Sequence, residues 1–273
     1  MGTSIQEHPE ERRNLEPSTY SERLIAKVCM LAGKIMMENG AETYRVEDTM
    51  TRIADSFGMP RSQSFVTPTG IIFSMEGIAP DTRLTRISAR STDLRKVTEV
   101  NAISRRISAG ELAPEKALEL LHEVESSRAS IAPWLRTVAA ALSSGCFLIM
   151  YQGQWGDFIP ALVTGGLGYL AVTTLDRIFS VKLFAEFMAS VVVGILACLF
   201  VATGLGRELN TLIVGSVMPL VPGVLITNAV RDLMAGHYVS GLSKGAEAFL
   251  TALAIGTGIA VVLSFYKGEG LGL

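Results

Sequence analysis

The sequence predicts an α-helical integral membrane protein with five transmembrane helices, preceded by a small soluble α+β domain. Of the 24 Lys and Arg residues in the 273-residue chain, 17 precede residue 131, as do 19 of the 26 Asp and Glu residues. Beyond that point five apolar stretches follow one another, each near the ~20 residues that cross a bilayer. The two parts are therefore expected to fold in different solvents.

The N-terminal part is predicted to follow the order ααβββαα. Residues 1–20 are polar and are expected to form a disordered tail, so the domain covers 21–128. Its first helix should end at "ENG", where Asn39 or Gly40 supplies a left-handed cap, and its second should end at Gly58. The stretch "SQSFVTPTGIIFSMEG" predicts a hairpin around a Pro-Thr-Gly turn, and "TRLTRISAR" a third strand. Helices over 93–108 and from Pro114 onwards complete the domain.

The membrane part, 129–273, is predicted to contain spans at 132–151, 158–175, 183–205, 209–230 and 246–266. Lys and Arg favour the loops on the side of the N-terminal domain. By the positive-inside rule that domain is cytoplasmic, and five spans leave the C-terminus outside. We therefore expect a multi-pass membrane protein, in contact with the lipid bilayer.

The fourth span is interrupted in the stretch "VMPLVPGVLITNAVRDLMAGHY". Pro219 and Pro222 have no amide hydrogen to donate to the carbonyls of Gly215 and Met218, so two free carbonyls are predicted near mid-membrane. Such a break, with Gly223 beside it, can line a substrate cavity or can be a kink that improves packing. The prolines by themselves favour neither interpretation.

Polar residues in the membrane part are the main candidates for a substrate pathway. Asn228 and Asp232 lie four residues apart on one helical face, and Arg231 lies in the adjacent row. Arg231 and Asp232 could equally anchor the cytoplasmic end of the span. Two carboxylates in the third and fifth spans are further candidates, with Lys182 and Lys244 as expected partners. The predicted pathway residues are Pro219, Pro222, Gly223, Asn228, Arg231, Asp232, Glu247 and Glu186.

Several function classes are disfavoured. The chain contains no CxxC, Walker loop, GxSxG or HExxH pattern, and its three His residues are scattered. No catalytic residue, cofactor or metal site is predicted, and without a P-loop the chain itself is not expected to use ATP. No basic stripe is present, which argues against nucleic acid as a partner.

Two stretches resemble the threonine/serine exporter family. "GAETYRVEDTMTRIADSFG" (40–58) with its following hairpin resembles the N-terminal domain of that family, through Gly40, Thr43, Arg45 and Glu47. From the residues alone, these side chains form either a polar contact site or the capped, solvated start of a helix. "PGVLITNAVRDLMAGHYVSGLSKGAEAFLTALAIGTG" (222–258) resembles the signature near the fourth and fifth spans. The second set of matching residues is Pro222, Gly223, Asn228, Arg231, Asp232, Gly241 and Glu247.

The resemblance implies gradient-driven export of threonine and serine or, in a related branch, of dicarboxylates such as succinate. Fused family members carry a second membrane domain after the fifth span, whereas this chain ends at Leu273. It therefore resembles the split, YjjP-like form, which implies a separate small membrane subunit as partner. Homo-oligomers remain open, as do two other functions: a membrane-anchored enzyme with chemistry in the soluble domain, and a structural or regulatory subunit.

Overall fold

The chain divides into two compact units. A computed structural model describes residues 21–76, 81–127, 131–179 and 181–269; the predicted tail over 1–20 lies outside them. The first unit, called the αβ unit below, joins the described residues up to 127 with Asn228–Leu242. The second, the helical unit, contains the described residues of 131–227 and 243–269. The segment 228–242 thus groups with the N-terminal residues, whereas the sequence-based division placed it in the membrane part.

The αβ unit has the element order that the apolar spacing predicts. Its elements are α1 (Glu22–Glu38), α2 (Thr43–Ser56), β1 (Ser62–Thr67), β2 (Gly70–Met75), β3 (Asp81–Arg86), α3 (Leu94–Ser108) and α4 (Pro114–Ser126). The three strands form an antiparallel sheet in the order β1-β2-β3, with Val66 opposite Ile71 and Ile72 opposite Leu84. The third strand is shorter than the predicted 82–90, since it ends at Arg86.

One face of the sheet and the helices enclose the core of the αβ unit. In β2, Ile71 and Phe73 are buried while Ile72 between them is exposed, as the two-residue period of a strand requires. Helix α1 passes close to this core at Gly33, where an added Cβ would meet the Met50 side chain and lie 3.3 Å from Ile71 Cδ1. Gly40, with φ of +89°, supplies the left-handed residue after α1.

The helical unit contains long apolar helices. They are α5 (Pro133–Met150), α6 (Phe158–Ile178), α7 (Lys182–Ala202) and α8 (Leu209–Val217); α9 (Gly223–Met234) and α10 (Tyr238–Glu269) continue across the boundary between the units. In the described residues, four helices are long and apolar enough to cross a membrane, and a fifth span results if α8 and α9 count as one span bent by 65°. Large side chains on these helices, such as Ile159, Phe249 and Phe265, are exposed, as contact with lipid requires.

Candidate functional site

The first turn of α2 is bound by a carboxylate from α9 within the αβ unit. Thr43 is the first residue of α2, so its amide has no acceptor inside the helix. Asp232 Oδ1 accepts a hydrogen bond of 2.9 Å from that amide, and Oδ2 accepts one of 2.9 Å from the Thr43 hydroxyl. Both residues are 0% exposed. Asp232 therefore caps α2 from a distant part of the chain, where the helix dipole favours a negative charge.

Asn228 makes a second link one turn earlier on α9. Its side-chain amide Nδ2 donates to the carbonyl of Gly40 over 2.8 Å, and the residue is 8% exposed. Asn228 and Asp232 thus share one face of α9, as their spacing predicts. This face is used to hold the loop that precedes α2.

Arg231 occupies the outer side of the same contact. Its Nη1 lies 2.5 Å from Glu42 Oε1, and Arg45 Nε lies 3.5 Å from Glu42 Oε2. Burial by itself raises the pKa of Glu42, but hydrogen bonds from a backbone amide and from Arg231, with the charges of the two guanidiniums, outweigh it. The net pKa of Glu42 lies below its ordinary value. The Arg231 and Arg45 side chains are 53% and 47% exposed, so two guanidiniums flank one buried carboxylate at the surface.

The start of α10 is linked to the edge of the sheet. Strand β1 has β2 on one side only, and Val66 directs its amide to Glu47 Oε1 over 2.8 Å. The Ser240 hydroxyl donates to the Val66 carbonyl over 3.0 Å, and His237 Nδ1 lies 3.7 Å from Glu47 Oε2. Burial raises the pKa of Glu47, the Val66 amide and the His237 charge oppose this, and the charge of Asp232 adds to it. The net pKa of Glu47 lies above its ordinary value.

Gly241 allows α9 and α10 to pack closely in this segment. A Cβ at this position would lie 2.6 Å from Leu233 Cγ and 3.0 Å from the Ala229 carbonyl oxygen. The first residue set that carries the family resemblance meets three members of the second, Asn228, Arg231 and Asp232, in one cluster. We call it the α2–α9 cluster: Gly40, Glu42, Thr43, Arg45, Glu47, Asn228, Arg231, Asp232, His237 and Ser240.

The break between α8 and α9 lies outside this cluster, in the helical unit. Helix α8 ends at Val217, a short 3₁₀ turn covers Met218–Leu220, and α9 begins at Gly223. The prediction of two free carbonyls is wrong for Met218, because its carbonyl accepts a hydrogen bond of 3.2 Å from the Val221 amide. A tighter turn thus replaces the helical donor that Pro222 lacks. Pro222 itself supplies a carbonyl acceptor to Ile226 over 3.0 Å.

The two remaining candidates, Glu186 and Glu247, lie near each other in the helical unit. Lys182 Nζ is 3.3 Å from Glu247 Oε1 and 3.9 Å from Glu186 Oε1. The expected Lys182–Glu186 pair is thus present but long, and the shorter contact of Lys182 joins α7 to α10. Glu186 Oε2 is buried and makes no well-formed hydrogen bond within the described residues; the neighbouring donor is the Thr251 hydroxyl.

Four residues that the sequence analysis did not single out have clear roles. His237 and Ser240 belong to the α2–α9 cluster, and Thr251 lies beside Glu186. Asp157 is 0% exposed and accepts from the amides of Arg207 (2.7 Å) and Glu208 (3.3 Å), just before α8. The available signal was the position of an Asp at a helix boundary, which favours capping but does not identify the helix that is capped.

Comparison with known proteins identifies the relatives of this chain. A family model described as "Putative threonine/serine exporter" matches residues 27–266. A protein of Klebsiella aerogenes named "Probable succinate transporter subunit YjjP" is 24% identical over 94% of this chain and 99% of its own length. The Escherichia coli K12 protein of the same name is 26% identical, over 92% and 98%. A "Probable threonine/serine exporter" of Mycobacterium tuberculosis is 23% identical over 91% of this chain but 47% of its own length.

These matches confirm the family resemblance found in the sequence. The chain spans nearly all of two relatives and about half of the third. Together with the apolar helices, they establish a multi-pass membrane protein related to exporters. No solved structure matches the chain significantly.

Proposed function

This chain belongs to the threonine/serine exporter family, and we propose that it is one membrane subunit of a gradient-driven exporter of small polar metabolites. The substrate class is threonine and serine or dicarboxylates such as succinate. A second, small membrane subunit completes the transporter. The protein lies in the inner membrane with the αβ unit on the cytoplasmic side.

The lengths of the relatives support the second subunit. The chain matches 99% and 98% of two proteins that are named as transporter subunits. It matches only 47% of a relative that is named as an exporter without the word subunit. In this proposal the partner supplies what the remainder of that longer relative supplies.

One observation supports the substrate class: Arg231 and Arg45 flank Glu42, and each side chain is about half exposed. Threonine, serine and succinate share a carboxylate, which a guanidinium binds through two parallel N–H groups. Arg231 uses Nη1 for Glu42 and is exposed enough to offer other N–H groups to a substrate. Asn228 and Asp232 then act as anchors that fix the position of Arg231.

The break in the fourth span is the second part of the proposed pathway. Pro219, Pro222 and Gly223 precede α9, and the same helix carries Asn228, Arg231 and Asp232. Glu186 and Glu247 complete the proposed pathway residues in the helical unit.

Flux through proteoliposomes tests the proposed function. The purified chain is reconstituted with and without the candidate second subunit, and efflux of serine, threonine and succinate is measured under an imposed ion gradient. We expect efflux of at least one substrate only when both subunits are present. Efflux of none of the three by the two-subunit vesicles would contradict the exporter assignment.

A charge-preserving variant tests Arg231. Arg231→Lys keeps the charge but loses the planar fork, so we expect about tenfold weaker transport of carboxylate substrates. Arg95→Lys is a matched control, because Arg95 is also a half-exposed guanidinium paired with a carboxylate (Glu99, 2.9 Å) in the αβ unit. Equal flux in the two variants would remove Arg231 from the pathway.

The break is tested by Pro219→Ala combined with Pro222→Ala. Restored amide donors should straighten the span, keep the protein folded and reduce flux. Pro160→Ala is the control, since Pro160 lies in the first turn of α6, where no helical donor is lost. Wild-type flux in the double variant would leave the break as a packing kink.

Orientation is tested by labelling two single cysteines in a background with the native cysteines replaced. Leu205 lies between α7 and α8, and Val181 lies between α6 and α7; both are exposed. Leu205→Cys should react with an impermeant reagent from outside the cell, and Val181→Cys only after permeabilisation. The reverse pattern would place the αβ unit outside.

A further inference from the structure

An open cavity of about 680 Å³ lies in the αβ unit between α1, α4 and the edge strand β3. Small-molecule sites have volumes of about 300 to 1,000 Å³, so the cavity can hold a metabolite. Among the described residues that line it, Lys27, Lys34 and Arg83 are cationic, His122 is titratable, and none is acidic. The cavity shares no described residue with the α2–α9 cluster and is therefore a second candidate site.

Helix α1 presents one face to this cavity, with a cation at each end and apolar side chains between. Lys27, Leu31 and Lys34 follow the i, i+4, i+7 spacing of one helical face. The two lysines are two turns apart, which is about 10 Å along the helix axis. Leu118 of α4 and Leu84 of β3 extend the apolar wall, and Leu84 is 72% exposed. The cavity is thus apolar in the middle and cationic at both ends.

The two cationic ends differ in how far their charges are already paired. At one end, Glu125 Oε1 accepts from Lys34 Nζ over 2.8 Å, and Glu125 Oε2 lies 3.3 Å from His122 Nδ1. At the other end, Lys27 makes no hydrogen bond or ion pair with any described residue. Arg83 lies at this end too, because its Nη1 donates over 3.4 Å to a carbonyl one turn before Lys27. Lys27 therefore brings a positive charge to the cavity that no described carboxylate pairs with.

We propose that the cavity binds a phosphate monoester with an apolar body, whose phosphate lies between Lys27 and Arg83. A phosphate carries about −1.5 to −2 charges at neutral pH and three acceptor oxygens, which suit an ammonium and a guanidinium together. The apolar body covers Leu31, Leu84 and Leu118 and so removes apolar surface from water. Threonine, serine and succinate have no apolar body of this size, so the ligand differs from the proposed substrates.

Binding to the full chain in phosphatidylcholine nanodiscs tests the site without any transport. The probe is naphthyl phosphate, and its two halves, naphthol and inorganic phosphate, are measured beside it. Equilibrium dialysis with empty discs corrects for uptake by the lipid. We expect saturable binding of naphthyl phosphate, about tenfold tighter than that of either half and weaker at high salt. Equally tight binding of naphthol or of inorganic phosphate would overturn the proposal.

Two pairs of variants locate the binding. Lys27→Gln should weaken it about tenfold, whereas Lys116→Gln, which removes an exposed charge of α4 outside the cavity, should not change it. Leu84→Ser should weaken it several-fold, whereas Phe65→Ser, at an exposed apolar position of β1, should not. All four positions are exposed, so the variants are expected to fold. Wild-type affinity in Lys27→Gln or in Leu84→Ser would overturn the site.

Soluble phosphate esters and lipids with a phosphate headgroup share this chemistry, and the composition of the discs separates them. Added phosphatidic acid, a phosphate monoester, should displace naphthyl phosphate if the ligand is a lipid. Phosphatidylglycerol, a diester, is the control for the negative surface charge. Naphthyl phosphate binding that is the same in both kinds of disc supports a soluble ester. Because none of these measurements involves efflux, a failed exporter assignment would leave the site standing, and a failed site would leave the exporter standing.

Discussion

Each unit of this protein contains a buried carboxylate, and the two carboxylates differ in their hydrogen-bond partners. In the αβ unit, both oxygens of Asp232 accept hydrogen bonds from Thr43, one from the amide and one from the hydroxyl. In the helical unit, the Glu186 carboxylate has the Thr251 hydroxyl as its neighbouring donor, without a well-formed hydrogen bond to Oε2 among the described residues. Both residues are more than nine-tenths buried. Burial alone therefore does not show how firmly a carboxylate is held; the hydrogen bonds around each oxygen do.

The largest expected effect tests the anchor. Asp232→Ala removes the carboxylate that accepts from the amide and the hydroxyl of Thr43, which should lower the free energy of unfolding of the αβ unit by about 3 kcal/mol. Asp232→Asn should cost less, because one amide oxygen can still accept. Hydrogen exchange of the α2 amides in the detergent-purified chain measures this loss directly.

Glu186→Gln is the matched comparison in the helical unit. It removes a charge from a carboxyl group that is already incompletely paired, so we expect no loss of thermal stability, or a gain. If Asp232→Ala and Glu186→Gln lowered the melting temperature equally, the distinction between the two carboxylates would be lost.

A smaller effect compares how the two units pack their glycines. In the helical unit, a Cβ on Gly165 would meet the Ser144 side chain and lie 3.3 Å from the Ser216 carbonyl oxygen, so neighbours cannot easily move. In the αβ unit, a Cβ on Gly33 would meet the flexible end of Met50. Gly165→Ala should cost about 2 kcal/mol and Gly33→Ala less than about 1 kcal/mol. Melting temperatures of the two variants check this ranking. A larger drop in melting temperature for Gly33→Ala than for Gly165→Ala would contradict it.

The smallest effect concerns pH and two acids of the αβ unit. The pKa of Glu42 is lowered from 4.5, so its contribution to stability is present above pH 4.5 and is lost as the pH falls through the folded-state pKa. The pKa of Glu47 is raised from 4.5, so stability falls as the pH rises from 4.5 through its folded-state pKa. Glu42→Gln should flatten the acid side of the stability profile, and Glu47→Gln the side above 4.5. Urea unfolding of the two variants across pH measures these effects. The assignments would be refuted if Glu42→Gln changed the side above 4.5 and Glu47→Gln the acid side.

Much of the fold follows from local sequence patterns. Apolar spacing predicts the order of α1 to α4 and the hairpin. The sequence offers Asn39 and Gly40 as left-handed caps of α1, and Gly40 is the one of the two that has positive φ. Local rules also predict that Asn228 and Asp232 share a face. These features depend on residues that lie a few positions apart, so the pattern of a single sequence is enough to predict them.

Partners that come from distant segments could not be predicted in the same way. Lys182 was assigned to Glu186 by its spacing of four residues, yet its shorter contact is with Glu247 on another helix. The Met218 carbonyl was predicted free because the helical donor is absent, but a 3₁₀ hydrogen bond from Val221 replaces it. The contact of Thr43 with Asp232 has no local signal, since the spacing rules apply only within one element.

The hydrogen bonds between Thr43 and Asp232 can form only late in synthesis of the chain. The two residues are 189 positions apart, so α2 leaves the ribosome long before its capping carboxylate exists. At typical elongation rates the delay is roughly 10 to 40 s. During that time α5 to α8 are made and must enter the membrane, while the α2 terminus lacks its acceptor. The αβ unit is therefore completed only after the helical segments before α9 have been made. In a chain stalled before α9, the first turn of α2 would lack the Asp232 cap and would be more open to proteases and chaperones.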